Sequence, residues 1–364
     1  MKYLNEFRQK KLVDKLTKGI DHLMADIGRR VILMEVCGTH TMAAFRYGIK
    51  DLLPANLHLL SGPGCPVCVT ANDYLDKAIA YARKEGVIVV TFGDMVKVPG
   101  SSSSLAEEAS NGAEIRVVYS SLEALKIAQE NREKKVIFLG IGFETTAPTV
   151  ASSILTAGED KLSNYFVLSG HKIMPPIMRA LAQDHELKID GFICPGHVST
   201  ITGSKIYEFL SRDYGIPCVV AGFEPIDILQ SIYLILSQIK SGQAKVENEY
   251  NRAVTWEGNL KAQTLMAEVF KPESSNWRGI GEIEQSGLKI KEKYESFDVE
   301  KRYPVSIEKS RENPGCICGD ILRGLRTPLD CRLFRKVCHP SHPVGACMVS
   351  AEGTCAAYYK YSSV

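Results

Sequence analysis

Six of the chain's eleven cysteines fall between Cys316 and Cys355, in the spacing C-x-C-x12-C-x6-C-x8-C-x7-C. An even scatter would put about one there. Soft thiolates gathered this closely in sequence suit a single metal centre. Six thiols exceed the four that a tetrahedral zinc or a [4Fe-4S] cluster takes, so four ligands plus a two-thiol pair would use them all. Cys316 and Cys318 form C-x-C rather than the paired C-x-x-C knuckles of zinc ribbons, which disfavours structural zinc. A cluster beside a dithiol can pass electrons to it one at a time. His339 and His342 lie among these thiols. With sulfur in excess, they are expected behind the ligands or at the surface.

Two further cysteine motifs lie near the N-terminus. Cys65-Pro-Val-Cys68 has the spacing of thiol–disulfide catalysts, in which one thiol is activated and the other resolves it. The preceding Gly62-Pro-Gly64 makes a tight turn that presents the pair. Half of a zinc knuckle is the other reading, but no second C-x-x-C exists to complete it. Cys37-Gly-Thr-His40 follows a strand and opens a helix, where the macrodipole and free N–H groups would lower a thiol pKa. His40 is about one turn on. Thiolate and imidazole there can bind a metal or act as nucleophile and base; an ordinary buried cysteine is the alternative.

Other loops carry Gly-framed polar residues: Gly93-Asp94, Gly142-Phe-Glu144-Thr-Thr-Ala-Pro148, Ser169-Gly-His171-Lys172, Pro195-Gly-His197-Val-Ser199 and Gly222-Phe-Glu224-Pro225. Glu144 also reads as a helix N-cap. His171 and His197 flank glycine at strand ends, where a polar site outweighs a satisfied core histidine. No Walker A loop is present, and Gly140-Ile-Gly142 lacks the third glycine of a dinucleotide fingerprint.

The elements that must position these loops are short apolar runs alternating with helical patterns. Strands are expected over 31–36, 57–60, 87–92, 115–119, 136–139, 165–168, 191–194 and 218–221. Continuous Val/Ile/Leu runs separated by helices imply parallel sheets covered on both faces. In such sheets ligands sit at the carboxyl ends of the strands, where the loops above must gather. The polar segment 129–135 suggests a boundary between two α/β halves, 1–130 and 131–243. From 244 the texture changes: a long helix over 244–270, a loop over 272–287, a charged stretch over 288–302, then the cysteine tail. That last segment, 244–364, is expected to be mainly helical or irregular and to depend on its metal for order.

At 364 residues there is room for several domains, and the net charge of +2 with no dominant basic block argues against nucleic-acid binding. The N-terminal segment is a charged amphipathic helix rather than a signal peptide, and no run suits a membrane span. A cytoplasmic, reducing location follows, which turns eleven cysteines away from a disulfide framework.

Together, CGTH at 37–40, GPGCPVC at 62–68, GFETTAP at 142–148, PGHVS at 195–199 and the cysteine tail resemble the HypD family of [NiFe]-hydrogenase maturation proteins. The likeness runs through the whole chain in the same order, without departure at these motifs. The resemblance implies a fold of two αβα domains with parallel sheets plus a C-terminal iron–sulfur domain, and a scaffold on which the Fe(CN)2CO moiety is assembled. It implies work with a HypC-type chaperone and a HypE-type cyanide donor, itself loaded by HypF. By the same likeness Cys37 holds the iron together with the N-terminal cysteine of HypC, and Cys65 and Cys68 lie in the central cleft. The cluster site would be similar to that of ferredoxin:thioredoxin reductase, with Cys316, Cys331, Cys338 and Cys355 as [4Fe-4S] ligands and Cys318 and Cys347 as the redox pair. His40, His197, Asp94 and Glu144 are then candidates to hydrogen-bond the diatomic ligands or move protons. The chain alone is expected to be a monomer. An iron–sulfur thiol–disulfide oxidoreductase acting through Cys65 and Cys68 is the alternative function, and a zinc-stabilised binding module the weakest one.

Overall fold

The computed structural model describes residues 5–362. The expected N-terminal helix begins in part outside them; within them it is Lys10–Ile27. In chain order the strands are β1 (Val31–Glu35), β2 (Leu57–Ser61), β3 (Val87–Thr91), β4 (Glu114–Val117), β5 (Lys135–Gly140) and β6 (Tyr165–Ser169). Then follow β7 (Gly191–Pro195), β8 (Cys218–Ala221), β9 (Val246–Asn248), β10 (Phe270–Trp277) and β11 (Gly281–Ile290). All eight expected strands form. Apolar runs such as β3 cannot lie against water on either face, and all five of its residues are buried.

Two parallel sheets result. One has the order β2-β1-β7-β8-β9 and the other β4-β3-β5-β6. The architecture is therefore α/β with two αβα layers, as expected, but the chain does not divide into 1–130 and 131–243. Val87–Val90 pairs with Lys135–Phe138 across the supposed boundary. Meanwhile β1 reaches past the whole second sheet to β7, with Leu33 opposite Gly191. The first sheet is thus built from two separated stretches and the second is inserted between them. Segment 129–135 is polar because it is a surface turn from helix to strand, not because it links domains.

On one face of the first sheet, Ile20 and Met24 of the N-terminal helix interlock with Ile228, Ile232 and Leu236 of the helix Pro225–Ser241. On the other face Met34, Phe192 and Val220 share a core with Trp277, Ile321 and Cys347. The tail therefore uses the sheet's core and makes none of its own.

The region after residue 243 differs from its expected course. Residues 246–248 form the edge strand β9, and the helix is confined to Leu260–Val269, started by Asn259, whose side chain accepts the Ala262 N–H at 3.1 Å. The expected loop is instead the antiparallel hairpin β10–β11, and the charged stretch completes that hairpin to Ile290 and then forms the turns Glu292–Phe297 and Val299–Arg302. The hairpin's inner face buries Phe270, Leu288 and Ile290; its outer face pairs Lys289 with Glu273 at 2.9 Å. The cysteine tail consists of the short helix Cys318–Leu322, single turns at Pro328–Asp330 and Ala346–Met348, and the helix Thr354–Tyr361. Phe45 against Tyr358, 4.4 Å between ring centres, docks that last helix on the helix Gly38–Arg46. Among the described residues no helix is long and apolar enough to cross a membrane.

Candidate metal centre and thiol cleft

The ends of β1 and β2 lie side by side because Glu35 is in register with Ser61. Each strand runs out into a cysteine that starts a helix: Cys37 precedes Gly38–Arg46 and Cys65 precedes Pro66–Val69. The Gly38 N–H donates to the Gly64 carbonyl at 3.2 Å. A side chain on Gly64 would put its Cβ 2.3 Å from the Cys37 Cα, so only glycine lets the two loops touch. Cys65 Sγ in turn accepts the Cys68 N–H at 3.3 Å. The CGTH and CPVC motifs thereby form one site.

Cys37 opens on a cleft of about 290 Å³, with Gly64, Thr145, His197, Thr200 and Glu352 among its walls. Glu352 comes from the C-terminal tail and was not foreseen. Its carboxylate accepts the Thr39 hydroxyl at 2.5 Å, and its backbone lies on Gly38 so closely that a Cβ there would be 2.5 Å from the Glu352 carbonyl oxygen. Nothing in the local sequence signals this contact. Burial, with this carboxylate second, reverses the expected acidity of Cys37. The N–H groups of Thr39 and His40 do face the thiol, but burial and then the Glu352 charge push its pKa up to about 12.

The neighbouring polar residues take distinct places. Glu35 lies beneath Cys37, accepts the Thr41 hydroxyl and the Cys37 N–H, the latter at 3.4 Å, and is pushed up to about 7 by burial. His40 does not line the cleft. Its Nε2–H donates to the Gly222 carbonyl at 2.9 Å, and burial takes its pKa down to about 4, so it is neutral. Phe223 sits between the two imidazoles, 4.8 Å from His40 and 4.1 Å from His197, which does face the cleft. Glu144 is buried behind the cleft wall. One carboxylate oxygen accepts the Met174 N–H at 2.8 Å, the other has no partner, and burial pushes it up to about 7. It does not cap its own helix, whose first flanking residue is Thr146.

Three candidates fall elsewhere. Asp94 is exposed at the end of β3 and is not part of the cleft. Glu224 pairs with Arg8 at 2.5 Å and leads the helix Pro225–Ser241. His171 is buried beside Lys172 at a separate cavity, with neither ring nitrogen bonded and burial taking it down to about 3.

In the tail, Cys316, Cys318, Cys331, Cys338 and Cys355 surround a small apolar cavity walled by Ile321, Phe334 and Met348. Gly345 leaves room for it: a Cβ there would be 2.7 Å from the Cys316 Sγ and 2.9 Å from the Cys318 Sγ. Cys338 Sγ accepts the Val344 N–H at 3.4 Å, the kind of bond that tunes cluster sulfurs. Among the described residues no three His, Cys, Asp or Glu groups converge as they would on one ion. A cluster asks for something different, one thiolate per iron around a dry cavity, and these cysteines fit that demand. His339 and His342 are not in the cavity wall; the His339 Nδ1 bonds Ser341 at 2.8 Å. Cys347 also lies outside it. Its sulfur lies among the Cys318, Cys355 and Cys68 thiols, which favour its thiolate. That contact joins the tail to the CPVC loop.

Comparison with known proteins agrees with the family that the motifs resemble. The family model HypD, described as "Hydrogenase formation hypA family", matches residues 11–362. The chain is 47% identical to the hydrogenase maturation factor HypD of Azotobacter vinelandii, covering 99% of this chain and 97% of that protein. It is also 47% identical to a putative hydrogenase expression/formation protein of Methanocaldococcus jannaschii, over 98% of this chain and 97% of the other. The HypD of Cupriavidus necator is 44% identical, over 99% and 97%.

Proposed function

The chain belongs to the HypD family and is a hydrogenase maturation factor; on that premise we propose that it is the platform on which the Fe(CN)2CO unit of [NiFe]-hydrogenases is assembled. The observation that carries the proposal is the single cleft in which Cys37, the CPVC loop and His197 meet. The iron is cargo. Cys37 is its protein thiolate, and the N-terminal cysteine of a HypC-type chaperone supplies the second across the open side. A HypE-type donor delivers cyanide to the same opening. Low-spin iron bearing cyanide and carbon monoxide favours soft sulfur donors in a dry site, and Cys37 is only 6% exposed. The raised pKa of Cys37 means that metal binding must displace its proton, for which the Glu352 carboxylate in the cleft wall would be the acceptor. His197 is placed to hydrogen-bond a diatomic ligand.

Cys316, Cys331, Cys338 and Cys355 would hold a [4Fe-4S] cluster, which when bound supplies electrons singly. Cys318, which also faces that cavity, with Cys347 outside it, and Cys65 with Cys68, would be the two dithiols on the way to Cys37. Oxidising either pair forms one S–S bond, breaks two S–H bonds and releases two electrons and two protons. A thiol–disulfide oxidoreductase acting on an outside protein is less well supported, because Cys65 and Cys68 are 3% and 0% exposed and closed to a partner's disulfide. Anaerobic analysis of the purified chain tests the proposal. About four iron and four acid-labile sulfide per chain are expected, with capture of a HypC-type protein that Cys37→Ala weakens; a chain free of both iron and sulfide contradicts it.

A further inference from the structure

Arg278 stands at the tip of the β10–β11 hairpin and is only 4% exposed. Its backbone N–H donates to the Val69 carbonyl at 2.9 Å and its Nε to the Thr70 carbonyl at 2.8 Å, both at the end of the helix that carries Cys68. Its Nη2 is buried and unbonded; Glu312 lines the same cavity as Arg278 but its Oε1 accepts the Gly279 N–H at 3.1 Å, and none of the ion pairs among the described residues includes Arg278. A buried guanidinium without a counter-charge is costly unless something anionic belongs beside it. The next residue shows what lies there. Gly279 packs on Gly319, and a Cβ on either would come within 2.3 Å of the other's backbone. The hairpin tip thus rests on the first turn of Cys318–Leu322, which places Arg278 against the segment of Cys316 and Cys318.

We propose that Arg278 is the counter-ion of the thiolate-bound cluster, setting its reduction potential while holding the CPVC helix against the tail. This rests on the cluster reading above. Each electron added to a cluster ligated by thiolates adds negative charge, and a fixed cation in a poorly polarisable setting favours the reduced form. Arg278 is a positioning and tuning residue. It touches neither the cargo iron nor the Cys37 cleft.

The test is a redox titration of the anaerobically purified full chain, followed by electron paramagnetic resonance. Arg278→Gln is expected to disfavour reduction by about tenfold, or 59 mV for a one-electron couple. Arg278→Lys, which keeps the charge, is expected to stay within about threefold of the unaltered chain. An unchanged potential in R278Q overturns the proposal. Should R278Q fail to keep its cluster, R278K decides: a retained cluster at near-normal potential supports a charge role, whereas loss of the cluster there too, or a tenfold fall, overturns it. If the unaltered chain itself holds no cluster, the functional reading fails and this proposal with it, whereas an unchanged potential in a cluster-bearing R278Q overturns this proposal alone.

Discussion

Cys68 and Cys347 are both wholly buried in one core, where the helix Pro66–Val69 after the first sheet packs on the turn Ala346–Met348 of the C-terminal tail. That contact is the join between the cysteine cavity and the Cys37 cleft. Cys347→Ser is therefore expected to leave the iron and sulfide content near normal while lowering hydrogenase maturation by about tenfold or more. In-cell hydrogenase activity, set beside the metal analysis of the purified variant, checks both halves.

The partition of the tail thiols makes a separate prediction. On the cluster reading, alanine at Cys316, Cys331, Cys338 or Cys355 should remove the cluster absorbance and destabilise the tail, since a bound cluster would carry part of its folding energy. Alanine at Cys318 or Cys347 should keep the brown colour. Visible absorption of anaerobic preparations distinguishes the two groups, and a colourless Cys318→Ala protein would move Cys318 into the ligand set.

Gly64→Ala should cost about 1–3 kcal/mol or more, as overpacking in a close-packed site does. The added Cβ would meet the Cys37 backbone at 2.3 Å, where nothing flexible can give. Urea denaturation measures the loss. The variant should also hold cargo iron poorly, because relief of the clash must separate the CPVC loop from Cys37.

Glu144 predicts a pH dependence. Its folded pKa of about 7 lies above the ordinary 4.5, and burial is the main cause. The native state then keeps a proton that the unfolded chain loses first. Its contribution to stability is fully present below 4.5 and is lost as pH rises through 7, by on the order of 3 kcal/mol. Glu144→Gln keeps the acceptor for the Met174 N–H and should flatten the stability profile over that window. A profile as steep as that of the unaltered chain would contradict the assignment.

Much of this molecule was legible before its structure. Runs such as Val87–Thr91 and Tyr165–Ser169 are apolar at nearly every position, so strand identity and a parallel, two-sided sheet followed from composition alone. Strand-end loops with cysteine and histidine were expected to gather at one sheet edge, and Cys37, the CPVC loop and His197 do share a cleft. What was not legible is non-local. The pairing of Leu33 with Gly191 has no trace near either residue, and so the insertion of one sheet into the other was missed. The hairpin β10–β11 was hidden because its outer face alternates lysine and glutamate, which reads as a solvated stretch. Asp94 had the right neighbours in sequence but an exposed place away from the cleft. Cys37 illustrates the electrostatic limit: its helix N-terminus was foreseen, yet its acidity is decided by burial and by Glu352, which reaches it from the far end of the chain.

The central claim is that Cys37 grips a separate iron in a cleft wired by sulfur to the tail. Infrared spectroscopy of the chain, co-purified anaerobically with its HypC-type partner from hydrogenase-producing cells, tests it most directly. Bands of iron-bound cyanide and carbon monoxide are predicted for the unaltered chain, and none for Cys37→Ala with its tail cluster intact. Bands that persist in Cys37→Ala, or that are missing from the unaltered complex, would contradict the account.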